Sequence, residues 1–121
     1  MSKRFSLADR LASFRFAFAG LATLLREQHN TRIHLAATLI VLALGFVWEV
    51  SRADWMALLI AIALVWMAEA FNTAVEYLSD AAVPDQHPLI GKAKDVAAAG
   101  VLLAAAAAAL IGVLVFLPYL L

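Results

Sequence analysis

The sequence predicts an all-α membrane protein with an N-terminal amphipathic surface helix and three transmembrane helices. Of its 121 residues, 65% are hydrophobic and only 15% are charged. A soluble domain of this size rarely has so apolar a composition. In addition, the chain contains three apolar segments of about the length that a helix needs to cross a bilayer, roughly 17–25 residues. We expect residues 1–121 to form a single integral-membrane domain.

Charge and cysteine content exclude several classes of function. The formal net charge is zero at pH 7, and no basic run is present, which argues against a nucleic-acid partner. The chain has no cysteine, so disulfide bonds, thiol catalysis and cysteine-ligated metals are excluded. The N-terminal residues show no apolar core followed by a cleavage site, so we expect no signal peptide.

The predicted surface helix covers residues 6–28. Ser6 and Asp9 resemble a capping box at its start. Basic residues on its polar side suit the headgroup region of an anionic leaflet, and the alternative is packing on the rest of the protein. Apolar residues recur at helical spacing and form one stripe, namely Leu7, Leu11, Phe14, Phe18, Leu21 and Leu25.

Three predicted membrane spans follow, at residues 31–48, 55–80 and 94–117. Trp48 ends the first span and Trp55 opens the second, which is typical of a hairpin at the membrane interface. Residues 81–90 are predicted to form a loop, and Pro118 is predicted to end the third span. The third span is rich in alanine, which permits close contacts between helices.

The distribution of basic residues predicts the orientation in the membrane. Most Lys and Arg residues lie before or at the start of the first span, and Lys92 and Lys94 belong to the second loop, whereas Arg52 alone lies between the first two spans. The positive-inside rule therefore places the N-terminus and the second loop in the cytoplasm and the C-terminus outside.

Three carboxylates interrupt the second span near its cytoplasmic end. At about 100° per residue, Glu69, Glu76 and Asp80 fall within roughly 40° of one another on the helix surface. Asn72 lies beside them. Ionisable residues within or at the edge of a bilayer are costly, and by default they mark a functional site.

The polar residues at this membrane edge have the chemistry that phosphoryl transfer requires. Carboxylates bind Mg²⁺ on phosphate oxygens, a lysine neutralises developing charge, and one acid accepts the proton of the attacking hydroxyl. Glu69 is the deepest acid and the candidate general base. No Walker A motif or kinase-type glycine-rich loop is present, so any nucleotide site has another design. The cluster consists of Glu69, Asn72, Glu76, Asp80, Lys94 and Asp95.

A structural explanation stands beside this functional one. Outside Glu69, the charged residues of the cluster are also compatible with a solvated helix end that holds ordinary ion pairs, although their co-location favours a site. Trp66 and Phe71 are expected to face lipid or to pack. The histidines lack the spacing of a metal site, and we expect interfacial or loop positions for His29, His34 and His87.

The segment Glu69-Ala70-Phe71-Asn72-Thr73-Ala74-Val75-Glu76 is followed by Asp80, His87 and Ala93-Lys94-Asp95. This pattern resembles the prokaryotic diacylglycerol kinase family, which includes the undecaprenol kinases, and the resemblance covers nearly the whole chain. It implies a homotrimer of three-span subunits in the bacterial cytoplasmic (inner) membrane. The active sites would lie between subunits and would use MgATP as the donor.

The resemblance also implies roles for individual residues. Glu69 would be the general base and, with Asn72, would contact the lipid substrate. Glu76 would bind the metal. The family often has an acidic residue near the end of the surface helix that helps to hold metal, but this chain has Gln28 there, with Glu27 beside it. Gln28 offers a carbonyl oxygen without charge. The ATP-binding residues would be Glu76, Asp80, Lys94 and Asp95.

The substrate is expected to be a membrane lipid alcohol, with undecaprenol favoured and diacylglycerol second. Residues 30–34 and 87–89 resemble the undecaprenol kinase branch more than the diacylglycerol branch. A polyprenyl chain needs only a groove between helices, and the small residues at positions 97–100 are candidates to line it. Among these, Ala98 is our candidate substrate-binding residue.

Two other classes of function are compatible with the composition. One is a small proton- or ion-coupled transporter subunit, in which intramembrane acids relay ions. The other is a structural scaffold without catalysis. A relay needs polar residues through the whole bilayer, but the outer halves of all three spans lack them. This asymmetry favours an enzyme that acts at the cytoplasmic interface.

Overall fold

A computed structural model describes residues 4–121 as helices joined by short turns. The helices are α1 (Leu7–Glu27), α2 (His29–Val47), α3 (Arg52–Ala82) and α4 (Pro88–Leu120). Within the described residues no strand occurs, and α2, α3 and α4 are long and apolar enough to cross a membrane. The predicted all-helical class with three apolar helices is thus confirmed. Lys3, which contributes to the predicted orientation, lies outside the described residues.

A single extended residue separates α1 from α2. The backbone of Gln28 has φ −109° and ψ 117°, which interrupts the helical path after Glu27. Thr31 is fully buried, and its hydroxyl lies 2.6 Å from the carbonyl oxygens of both Leu24 and Gln28. Since the Leu24 carbonyl oxygen also accepts from the Gln28 N–H at 3.1 Å, the Thr31 hydroxyl adds a second contact that joins the first turn of α2 to the end of α1.

The start of α1 is capped as the sequence suggested. The Ser6 hydroxyl accepts a hydrogen bond from the backbone N–H of Asp9 at 3.3 Å. The apolar stripe of α1 is exposed along most of its length. Its placement on a membrane surface stays a prediction, since the structure contains no bilayer.

The loop between α3 and α4 is shorter than predicted. Instead of residues 81–90, it covers only residues 83–87, because α3 ends at Ala82 and α4 begins at Pro88. Proline is favoured in the first turn of a helix, where its missing N–H is not needed. His87 caps this end, since its Nδ1 accepts a hydrogen bond from the Leu89 N–H at 3.1 Å.

Other predicted boundaries also shift. The Ser51 hydroxyl accepts a hydrogen bond from the Asp54 N–H at 3.1 Å, so α3 begins at Arg52, ahead of Trp55. At the C-terminus, α4 continues through Pro118 to Leu120, and the prediction that Pro118 ends the helix is wrong. A proline removes one backbone donor, but in the last turn this loss affects few helical bonds.

Aromatic contacts stabilise the end of the bundle that lies farthest from Glu69, Glu76 and Asp80. The ring centroids of Trp48 and Phe116 are 5.6 Å apart, and Trp48 also stacks on Tyr119. The Tyr119 hydroxyl donates to Asp54 Oδ2 at 2.9 Å. Val50 and Leu58 are buried beside these rings. These contacts hold the α2–α3 turn against the C-terminus of α4. They therefore restrict the relative positions of α2, α3 and α4, which bear the polar residues in their opposite halves.

Candidate active site

The second half of α3 holds four of the predicted site residues in order of increasing exposure. Glu69 is only 2% exposed, Asn72 and Glu76 are half-buried, and the Asp80 side chain is 67% exposed. The polar stripe thus leads from the interior of the bundle to solvent over about 16 Å of helix length.

The buried end of this stripe faces a histidine of α2. His34 Nε2 lies 3.4 Å from Glu69 Oε2, and the His34 side chain is only 17% exposed. Within residues 4–121, neither atom has a hydrogen-bond partner. His34 is therefore not a loop residue, because it lies in α2 on a face that packs against α3; its position at the membrane interface stays a prediction.

One pattern in the sequence points to this face. Thr31, His34 and Thr38 recur at i, i+3 and i+7, which puts them on one side of a helix. Trp66 lies on the facing side of α3, where its indole N–H donates to the Thr38 hydroxyl at 2.9 Å. Its ring also meets the His34 ring edge-on, with centroids 6.4 Å apart. The expectation that Trp66 is a packing residue fits this position.

At the solvent end, α3 and α4 are joined by an ion pair. Lys94 Nζ donates to Asp80 Oδ1 at 2.6 Å, with side chains that are 38% and 67% exposed. The two residues border a pocket of about 560 Å³, whose other wall is the loop at residues 83–87. That volume falls within the roughly 300–1,000 Å³ typical of ligand pockets. Asp95, the next residue of the predicted cluster, is exposed.

The junction between α1 and α2 contacts α3 through a tyrosine that the sequence did not single out. The Tyr77 hydroxyl donates to Glu27 Oε2 at 2.9 Å and accepts from Gln28 Nε2 at 3.2 Å. Tyr77 follows Glu76 directly in the chain. Glu27 and Gln28 are the two candidates for the second metal ligand. Both are therefore bound to the turn of α3 that bears Glu76, the candidate for the first.

Two apolar grooves adjoin the stripe. One, of about 640 Å³, lies between α3 and α4 and is lined by Asn72, Ala97 and Gly100 among others. Ala98 is exposed and does not line this groove, since it is turned about 100° from Ala97 on the helix. The other groove, of about 360 Å³, lies between α2, α3 and α4, with His34 among its lining residues.

The donor chemistry of the polar residues fits a magnesium ion that arrives with a nucleotide. Among residues 4–121, no three Asp, Glu, His or Cys side chains are grouped closely enough to hold a metal. Mg²⁺ usually takes one or two protein carboxylates and completes its shell with waters and substrate phosphates. Glu76 is the candidate carboxylate for such an ion, and Glu27 and Gln28 are joined to the same turn of α3 through Tyr77.

Comparisons with known proteins give a consistent result. Residues 15–116 match the sequence model described as prokaryotic diacylglycerol kinase. The chain is 38% identical over 108 residues to an undecaprenol kinase of Bacillus subtilis, covering 89% of this chain and 88% of that protein. It is 38% identical over 112 residues to a diacylglycerol kinase of a Synechocystis species, covering 92% of this chain and 64% of that longer protein. No solved structure matches the chain.

Proposed function

This chain belongs to the prokaryotic diacylglycerol kinase family, as its motifs suggested, and we propose that it transfers the γ-phosphate of MgATP to the hydroxyl of a membrane lipid alcohol. The observation that supports this most is the graded stripe on α3. In this proposal the buried carboxylate, Glu69, is the end of the stripe that meets the lipid hydroxyl. An exposed acid paired with a lysine, Asp80 with Lys94, stands where a polyphosphate can arrive from water.

At the buried end, Glu69 acts as the general base. It accepts the proton of the lipid hydroxyl while the hydroxyl oxygen attacks the γ-phosphorus. The new oxygen–phosphorus bond forms as the bond to the β,γ-bridging oxygen breaks, and ADP leaves. Asn72 is next to this point, and its buried Oδ1 has no partner within residues 4–121. The Asn72 amide can orient the hydroxyl through Nδ2, which donates to the hydroxyl oxygen and leaves the hydroxyl proton for Glu69.

At the exposed end, the remaining residues bind the nucleotide. Lys94 offsets the charge of the phosphates, and Asp80, which pairs with it, fixes its position until ATP binds. Asp95 completes this end of the site. Glu76 would hold Mg²⁺ together with Glu27 or Gln28, and the ion supplies electrostatic neutralisation of the phosphate oxygens.

The preferred lipid in this proposal is undecaprenol, with diacylglycerol second. The match to the undecaprenol kinase covers most of both chains, whereas the named diacylglycerol kinase extends well beyond this chain. The groove between α2, α3 and α4 is apolar and reaches His34 beside Glu69. A slim polyprenyl chain suits such a groove because it needs no polar contacts below its alcohol.

The enzyme works as a homotrimer in the bacterial inner membrane, with its N-terminus in the cytoplasm and its sites shared between subunits. Two features support the assembly. Asp80 and Asp95 are exposed on a single chain, so one subunit alone would enclose the nucleotide only on some sides. The alanine-rich α4 also exposes small residues that favour close contact with another helix.

The test is an assay of the purified protein with radiolabelled ATP and each lipid in the same mixed micelles. The wild type should transfer label to the lipid, with the higher kcat/KM for undecaprenol. Glu69→Gln should lower kcat by about 10²-fold or more while nucleotide binding changes little. Transfer to no lipid alcohol would refute the kinase proposal. A preference for diacylglycerol would change only the substrate.

A further inference from the structure

We propose that His34 is a positioning residue for Glu69. In this inference, which rests on the proposed function, the imidazole donates a hydrogen bond from Nε2 to Glu69 Oε2. That bond holds the carboxylate so that its other oxygen, Oε1, faces the lipid hydroxyl. His34 itself accepts no proton from the substrate. It acts only through the orientation of the base.

The first support is the geometry of two unused polar atoms. His34 Nε2 and Glu69 Oε2 are 3.4 Å apart, and neither is satisfied by another group within residues 4–121. A buried carboxylate without hydrogen bonds is costly. Catalytic hydrogen bonds are often long before substrate binds and tighten in the complex. A small movement of either side chain brings this pair into hydrogen-bonding distance.

The two hydroxyl groups that share the His34 face of α2 are already engaged, which leaves the imidazole as the side-chain donor of that face. Thr31 is bonded to the carbonyl oxygens at the α1–α2 junction. The Thr38 hydroxyl donates to the His34 carbonyl oxygen at 2.7 Å and accepts from Trp66. Neither hydroxyl has a proton left to offer Glu69.

The second support is the fixed orientation of the imidazole. The Trp66 ring packs edge-on against it, and the indole is itself held by its bond to Thr38 at 2.9 Å. Thr38, Trp66, His34 and Glu69 thus form a continuous series of contacts between α2 and α3. A donor held by its neighbours positions a catalytic group better than a free one does.

This role predicts an effect on turnover rather than on nucleotide binding. Asp80 lies about 16 Å farther along α3 than Glu69 does, and Lys94 of α4 pairs with it there. Loss of the imidazole should therefore lower kcat and leave the KM for ATP within about twofold, because a misplaced base slows the transfer while the nucleotide residues stay intact.

The sharpest test compares His34→Gln with His34→Asn. The two side chains have the same amide chemistry, but only glutamine reaches about as far as Nε2 of histidine. His34→Gln should keep kcat within about fivefold of the wild type, whereas His34→Asn and His34→Ala should lose about 10- to 100-fold. His29→Ala is the matched control, because His29 begins the same helix and is exposed. Its kcat should not change.

A double-mutant cycle separates positioning from a general structural effect. In the Glu69→Gln background, His34→Asn should cause no further loss of kcat, since the base through which His34 acts is already absent. Equal activity of the Gln and Asn variants, or an additive loss in the double variant, would overturn the inference. If the wild type phosphorylates lipid and all His34 variants match it, only this inference fails. A wild type without lipid phosphorylation refutes the proposed function and the inference together.

Discussion

The indole ring of Trp55 lies against Gly45 so closely that a Cβ atom on Gly45 would come within 2.6 Å of Cη2. The same ring also packs on Phe46 with centroids 4.9 Å apart, so a shift of Trp55 would disturb that contact as well. This contact joins α2 to α3 beside the turn that connects them. It sets how closely the two helices approach, and through them the spacing of His34 and Glu69 farther along.

Gly45→Ala should therefore destabilise the protein by about 1–3 kcal/mol, the usual cost of overpacking a tight contact. The measurement is SDS-induced unfolding in mixed micelles, followed by helix content. Gly112→Ala is the control, because nothing lies within 4 Å of a Cβ at that position. Combining Gly45→Ala with Trp55→Leu should recover part of the loss. Equal stability of the two alanine variants would contradict this account.

Variants of Asp80 and Lys94 can distinguish two roles of these residues, namely a structural ion pair and a nucleotide-binding site. Both side chains are more than one-third exposed, so the pair itself should contribute little to stability. Exchanging the charges, with Asp80→Lys and Lys94→Asp together, should leave stability nearly unchanged but raise the KM for ATP at least about tenfold. Steady-state kinetics measures this. Full activity of the exchanged protein would mean that the residues only pair with each other.

The metal proposal is tested by the magnesium dependence of activity. Glu76→Gln should abolish activity in a folded protein, since it removes a charge that would balance the ion. Gln28→Glu adds a carboxylate at the second candidate position, and it should lower the Mg²⁺ concentration at half-maximal rate. Glu27→Gln should raise that concentration if Glu27 substitutes for the missing acid. Wild-type activity without divalent ions would refute the assignment.

Shared sites can be tested by mixing inactive subunits. If one site draws Glu69 and Glu76 from two chains, Glu69→Gln and Glu76→Gln chains co-assembled at equal amounts should regain about a quarter of the wild-type activity. Random assembly unites the two intact residues in roughly one site in four if each site draws them from neighbouring subunits. Each variant assembled alone is the control. No recovery in well-mixed oligomers would instead favour sites within single chains.

The orientation is tested with single cysteines, which the natural chain lacks entirely. Ser51→Cys and Leu121→Cys should react with a membrane-impermeant thiol reagent in intact cells, because the positive-inside rule puts both outside. Gln86→Cys lies in the short loop between α3 and α4 and should react only after the cells are opened. Reaction of Gln86→Cys in intact cells would reverse the proposed orientation.

Local pattern was sufficient for much of the fold. Three apolar segments predicted three long helices because hydrophobic length is read directly from the chain. The helical period also put Glu69, Glu76 and Asp80 on one face of α3. Helix ends were less well predicted. The Ser51 and His87 caps and the initial Pro88 extended α3 and α4 beyond the apolar segments that the prediction followed.

What the sequence by itself determined is therefore the membrane class, the number of apolar helices and the acidic stripe of α3, since each depends on residues close together in the chain. Only the tertiary structure decided which partners face that stripe. His34 meets Glu69, Lys94 meets Asp80, and Tyr77 binds Glu27 and Gln28. These contacts join different helices, and they depend on how each helix is rotated and how closely it packs. Side chains such as Trp55 against Gly45 set that packing, which no local period specifies.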